Sequence, residues 1–135
     1  MIKIKPVFAG FEKPGEVASE VNGVYMVNGK GTDLGCILLL QEEILRPSLL
    51  EFEIKGEIVK KAPWSRLRIE VFDLDSPDKP ATSFENDYLT VELSADEFKH
   101  LSLPVLGIVK RPSKIQFMVV GPARSHLEIK NVCLR

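Results

Sequence analysis

The sequence predicts an all-β chain folded as a two-sheet antiparallel β-sandwich (jelly roll), with one short helical turn near residues 94–101. Three observations carry this. The segments Leu50-Glu-Phe-Glu-Ile-Lys55, Arg66-Leu-Arg-Ile-Glu-Val71 and Tyr88-Leu-Thr-Val-Glu-Leu93 alternate apolar and polar residues with a period of two. Side chains alternate faces along a strand, so each segment has one core face and one wet face. Further short segments are divided by Gly and Pro turns, and no strand–helix–strand rhythm is present, which selects a sandwich over an α/β fold.

Taken in order, Gly23 to Val27 reads as a strand ended by the turn dipeptide Asn28-Gly29. Ile37 to Leu40 suits a strand buried on both faces, whereas Gln41 to Leu45 also fits a helix. After the three alternating strands, Ser94-Ala-Asp-Glu97 has the form of a capping box, in which the Ser hydroxyl and the Glu carboxylate satisfy free N–H groups of a first turn. Phe98 and Leu101 would then share one face and close an end of the core. Segments 103–109 and 114–120 read as strands joined by the hairpin-like Lys110-Arg-Pro-Ser113. In segment 126–134 the apolar phase moves from Leu127 and Ile129 to Val132 and Leu134, which places a bulge near Lys130 and Asn131.

At 135 residues the chain fits one domain, 1–135, able to bury a core without disulfides or metal. A net charge of -1 and a pI near 6.1 exclude the basic excess of a nucleic-acid binder. The longest apolar run, Cys36 to Leu40, is far short of the roughly 18 residues that a membrane helix needs. The N-terminal Met1-Ile-Lys-Ile-Lys5 has no apolar stretch of a secretory signal, so the chain as given reads as cytoplasmic, and as extracellular if cut from a larger protein. Cys36 and Cys133 stand in apolar strand-like segments, as buried thiols or as a pair meeting across neighbouring strands. Without CxxC spacing, and with His100 and His126 isolated, no metal or cofactor is expected.

The order of segments resembles the jelly-roll folds of carbohydrate-binding modules and galactose-binding-like domains. Leu50 to Gly56 followed by Leu67 to Asp73 looks like their paired central strands. Leu89 to Phe98 is similar to their strand leading into a helical turn, and Leu127 to Leu134 resembles their closing strand, which returns beside the first. The resemblance implies a non-catalytic binding module with a saccharide ligand. Two departures stand out. Lys130 follows Ile129 where those modules often carry an Asp that helps a structural calcium, leaving Asn131 as the remaining oxygen donor. The chain also has only one Trp and two Tyr.

Candidate ligand-binding residues are Trp64, Arg66, Arg68, Tyr25 and Tyr88. An exposed indole or phenol ring stacks on the apolar face of a pyranose; the competing role for Trp64 is to fold over the sheet edge and cap the core. Arg66, Arg68 and Glu70 line the wet face of one strand, and Glu51, Glu53 and Lys55 that of another. If the two strands are neighbours, these charges form cross-strand pairs; otherwise they line a polar groove. Asp73, Asp75 and Asp78, with Glu85, Asn86 and Asp87, could offer calcium its oxygens, but Pro77 and the missing glycine favour a solvated loop. No Gly-x-Ser-x-Gly, P-loop or His-Glu-x-x-His motif is present, so no catalytic residue is assigned. Met118 and Val120, beside Phe117 and Val119, make both faces of their strand apolar. A second layer of the chain, or a protein partner or second copy, would cover them, and an assembly domain is the alternative function.

Overall fold

The computed structural model describes residues 2–85 and 93–135, and among these it contains nine strands and no helix. They are β1 (Ile2–Lys3), β2 (Val7–Gly10), β3 (Glu16–Val21), β4 (Val24–Leu39), β5 (Leu49–Lys60), β6 (Arg66–Asp73), β7 (Ser76–Glu85), β8 (Lys99–Pro104) and β9 (Pro112–Leu134). Every pairing is antiparallel.

The architecture follows from two long strands. β4 and β9 pair along most of their lengths, with one register shift between Thr32 and Leu34, where Asp33 faces Val120 and Gly121. On one side of that shift β9 is flanked by β6 and then β7; on the other it is flanked by β5 and then β8. β2 and β3 pair with the corresponding ends of β4. The result is two layers, β2–β4–β9–β6–β7 and β3–β4–β9–β5–β8, with hydrogen bonding continuous between them through the two shared strands. The layers meet through Phe52 of β5, which packs edge-on against Phe117 of β9 with ring centroids 5.2 Å apart. Cys36, Leu38, Leu67, Ile69, Ile115 and Val119 pack into the same core as Val27, Leu50, Ile54, Leu127 and Ile129. Each large apolar side chain buried there contributes about 1.5–3 kcal/mol.

Several details differ from the sequence reading. The expected turn at Asn28-Gly29 lies inside β4; the turn is at Asn22-Gly23, whose φ values of 52° and 78° form the two-residue link between Val21 and Val24. Gly29 serves close approach instead, since a Cβ there would meet the Gly15 carbonyl oxygen at 2.3 Å. The separate strands expected over 114–120 and 126–134 are one strand, bent at Gly121. The strand expected over 103–109 is β8, which runs Lys99–Pro104 and pairs with β5, not with β9.

The helical turn expected near 94–101 is absent. Ser94 Oγ does accept the N–H groups of Asp96 and Glu97, at 3.2 and 3.3 Å, as a cap would. Lys99 then pairs with Ile54 and Leu101 with Phe52, so sheet pairing overtakes a turn too short to hold itself. Phe98 takes cation–π contacts from Lys55 and Lys130, with ammonium-to-centroid distances of 4.9 and 4.0 Å.

β5 and β6 are not neighbours, because each flanks a different half of β9. Their charges pair elsewhere: Lys55 with Glu128, Glu51 with Arg135, and Arg66 and Arg68 with Glu85. The bulge expected near Lys130 and Asn131 is present, with the register shifting between Glu51 and Glu53 and Asn131 at φ 52°. β9 also closes beside β1, Leu134 pairing with Ile2.

Candidate ligand-binding face

Leu67, Ile69 and Val71 of β6 enter the core, so alternation turns Arg66, Arg68 and Glu70 away from it. On β9 the register sets Val120 opposite Arg66, Met118 opposite Arg68 and Gln116 opposite Glu70. β7 brings Glu85 opposite Arg68, and β4 brings Gly35 opposite Met118 and Ile37 opposite Gln116. The outer face of the first layer is therefore a short polar strip beside a half-buried apolar one. The ring of Phe11 leans over the apolar strip, its Cε2 atom 2.8 Å from where a side chain on Gly35 would begin.

One carboxylate organises the polar strip. Glu85 accepts the Nε–H of Arg66 at 2.7 Å and that of Arg68. The Arg68 bond, reinforced by Arg66 and resisted by partial burial, holds the Glu85 carboxyl below its ordinary range. Reciprocally, Glu85 raises the Arg68 guanidinium further, with help from the negative charges of Glu70 and Asp33. Both arginines are bound through Nε, which fixes the guanidinium planes and leaves terminal N–H groups for a ligand. Glu70 is almost buried and accepts from Gln116 Nε2 at 2.9 Å.

Trp64 lies at the Arg66 end of this face, in the link between β5 and β6. That link is clamped to the bend of β9: Ser65 Oγ and the Lys61 N–H both donate to the Pro122 carbonyl, at 2.7 and 3.0 Å. The six-membered half of the indole lies against Gly121, while 55% of the residue stays exposed. Gly121 in turn donates its N–H to Asp33 Oδ1 at 2.7 Å. An exposed aromatic ring suits the apolar face of a sugar ring, and oriented guanidinium groups suit its hydroxyl edges.

The structure sets Arg66 and Arg68 of β6 opposite Val120 and Met118 of β9, and Trp64 in the link just before Arg66, with its ring against Gly121. Tyr25 is elsewhere. It is buried, stacked on Phe8 at 5.2 Å, and lines a recess of about 260 Å³ with Lys5, Pro6 and Glu20. Burial, then the nearby Glu20, pushes its hydroxyl pKa up. Tyr88 lies outside the described residues. Sequence reasoning missed Phe11, Asp33 and Gln116, which reach the face only through pairing of distant strands. The Gly121-Pro122 dipeptide in an apolar run was the available signal for the bend.

The acidic loop holds the fold together. Asp73 accepts the N–H groups of Asp75, Lys110 and Arg111, at 3.0, 2.9 and 3.3 Å, and Asp75 pairs with Arg111. Asn131 donates its amide to Glu53. Among the described residues no group of three or more His, Cys, Asp or Glu side chains could hold a metal ion. Neither cysteine forms a disulfide; Cys36 lies opposite Phe117 and Cys133 opposite Glu51.

The sequence matches no protein-family profile and no curated protein. The fold, however, is shared with solved carbohydrate-binding modules. A mutant family 29 module complexed with cellulohexaose superposes with a TM-score of 0.62 at 18% identity, over 98% of this chain and 87% of that one. A low-affinity xylan-binding module of family 86 from Roseburia intestinalis gives 0.63 at 11% identity, over 98% and 89%. The extra C-terminal domain of an exo-1,3/1,4-β-glucanase from a Pseudoalteromonas species gives 0.63 at 12%, over 93% and 72%. At these identities the likeness is one of fold: the chain is an all-β sandwich built as carbohydrate-binding modules are.

Proposed function

We propose that this protein is a non-catalytic carbohydrate-binding module, with one sugar ring stacked on Trp64 and neighbouring hydroxyls bonded by Arg66 and Arg68. The observation that carries this reading is the half-exposed indole, fixed on Gly121 at the end of a row of oriented arginines. Fold likeness supports it. Family 29 modules of this architecture were solved with mannohexaose and with cellulohexaose, and mutants at charged positions were used there to probe ligand recognition.

Trp64 is the sole indole, so its emission reports on its own site. Titration with mannohexaose, cellulohexaose and xylan fragments should change that emission saturably, and Trp64→Ala should abolish retardation in the matching polysaccharide gel. An unchanged spectrum together with unretarded migration for all three would discard the reading.

A second reading uses the same face. Phe11, Ile37, Met118 and Val120 are half-buried and outward or edge-placed, which favours contact with a second copy or another protein. Light scattering separates the two: a monomer at all concentrations counts against self-assembly.

A further inference from the structure

We propose a second site, on the outer face of the other layer, in which Lys30 and Arg124 receive the oxyanion of a ligand, a carboxylate or sulfate group. Lys30 of β4 and Arg124 of β9 are directly opposed partners. Both are exposed, and neither has an ion-pair partner among the described residues. Like charges set directly across a strand pair repel, and sheets ordinarily place an opposite charge or a neutral residue there. The next residue in the row, on β5, is Val59, which supplies no neutralisation. β9 is an interior strand, flanked by β4 and β5, so Arg124 cannot turn away over a sheet edge.

The pair opens onto a recess of about 350 Å³, lined also by Asn28, Glu57, Val59 and His126. The carboxylate of Glu128, on the same face, is already engaged by Lys55 and by His126 Nε2, at 3.5 and 2.9 Å. His126 is held on its other nitrogen by Asn28. Among the described residues this leaves Glu57 as the single carboxylate lining the recess, against two cations, on a chain whose net charge is only -1. The ammonium supplies a point charge and the guanidinium a planar fork, which together match a carboxylate or sulfate. A neutral hydroxyl would leave the repulsion between the two cations uncompensated. The volume is at the small end of ligand pockets, suited to one acidic sugar unit or to a free oxyanion.

This site does not depend on the Trp64 reading, and its test is separate. Backbone amide NMR spectra would be recorded during titration with sodium sulfate, sodium glucuronate and glucose, at constant ionic strength. Saturable shifts confined to residues 28–31, 57–60 and 123–126 are expected with the anions and not with glucose. Lys30→Gln with Arg124→Gln should weaken them at least tenfold without lowering the melting temperature, which relief of the repulsion would if anything raise, and with the Trp64 emission unchanged. Glucuronate binding more tightly than sulfate identifies an acidic sugar as the ligand; sulfate alone identifies a free oxyanion. No saturable shift with either anion, shifts spread over lysines across the surface, or a double variant that titrates like the native protein would overturn the proposal.

Discussion

The indole of Trp64 rests on Gly121: a Cβ built there would lie 2.4 Å from Cζ3 of the ring, and Gly121 itself holds φ at +79°. The residue that bends β9 is thus also the floor beneath the exposed tryptophan. Gly121→Ala is expected to lose about 1–2 kcal/mol from the left-handed backbone alone. The Cβ would also crowd the buried Ser65 Oγ at 2.9 Å, but its tighter clash is with the ring, which must swing aside, so Trp64 emission should shift to the red and acrylamide quenching should rise. Thermal melts and quenching check this together. An alanine variant with native quenching would show that the ring does not depend on that floor.

Glu85 couples the two arginines of the face, and its charge has a pH signature. Because the Arg68 and Arg66 bonds hold its carboxyl below the ordinary value, its contribution to stability is complete above the unfolded-state pKa, about 4.3. It is lost as pH falls through the lower, folded value. Its side chain is 19% exposed and its partners about a third, so the pair energies are partly screened. Glu85→Gln is expected to cost about 1 kcal/mol at pH 7 and progressively less below pH 4. Urea unfolding at pH 7, 5 and 3 measures the difference; an equal cost at all three would assign the loss to packing.

Asp73 ties two loop segments together from a nearly buried position, the turn at Asp75 and the link at Lys110 and Arg111. Its carboxyl is held below its usual range chiefly by the Asp75 N–H, then against burial by those of Lys110 and Arg111. Asp73→Ala strands all three donors, and a loss of about 3 kcal/mol is expected from the lost charged bonds. Asp73→Asn keeps one good acceptor and should lose about half as much. Trp64 emission should stay native in both variants, since the loop belongs to the opposite end of β6. A large emission change would mean that the two ends of the strand are mechanically coupled.

The legible parts of this fold are those whose cause is local. Leu50 to Lys55 and Arg66 to Val71 display their faces in their own alternation, and the phase change after Ile129 marks the Asn131 bulge. Arg66 and Arg68 share one face because they are alternate residues of β6, whereas Trp64 lies before the strand and is placed by the link that clamps it to Gly121. Partner choice was not legible: β5 and β6 carry the same alternating pattern, and nothing in either says which half of β9 it will flank. Gly121-Pro122 reads as an end of strand, yet the Ser65 hydroxyl, the Lys61 N–H and the Asp33 carboxylate satisfy the backbone at the bend and let β9 continue. Phe11 and Asp33 reach the face only after β4 has paired, so no local pattern could announce them. The Ser94 cap shows the converse, a correct local motif overruled by pairing of Lys99 and Leu101 with β5.

Cys36 offers a probe of the core that is independent of any ligand. Burial first, and the charge of Glu16 second, push its thiol up to about 12, opposed only by a hydrogen bond at the Phe117 backbone. Only the thiolate reacts with disulfide reagents, and at pH 8 about one molecule in 10⁴ would carry it even with free access. Cys133 is also raised, by burial and then Glu51, but sits at the end of β9. In native buffer the label should therefore appear on Cys133 first, with Cys36 modified at the rate of global opening and rapidly above the urea midpoint. Peptide mass mapping over time distinguishes the two sites. Fast native labelling of Cys36 would mean that β4 separates from β9 without unfolding, contrary to a core in which both layers share those strands.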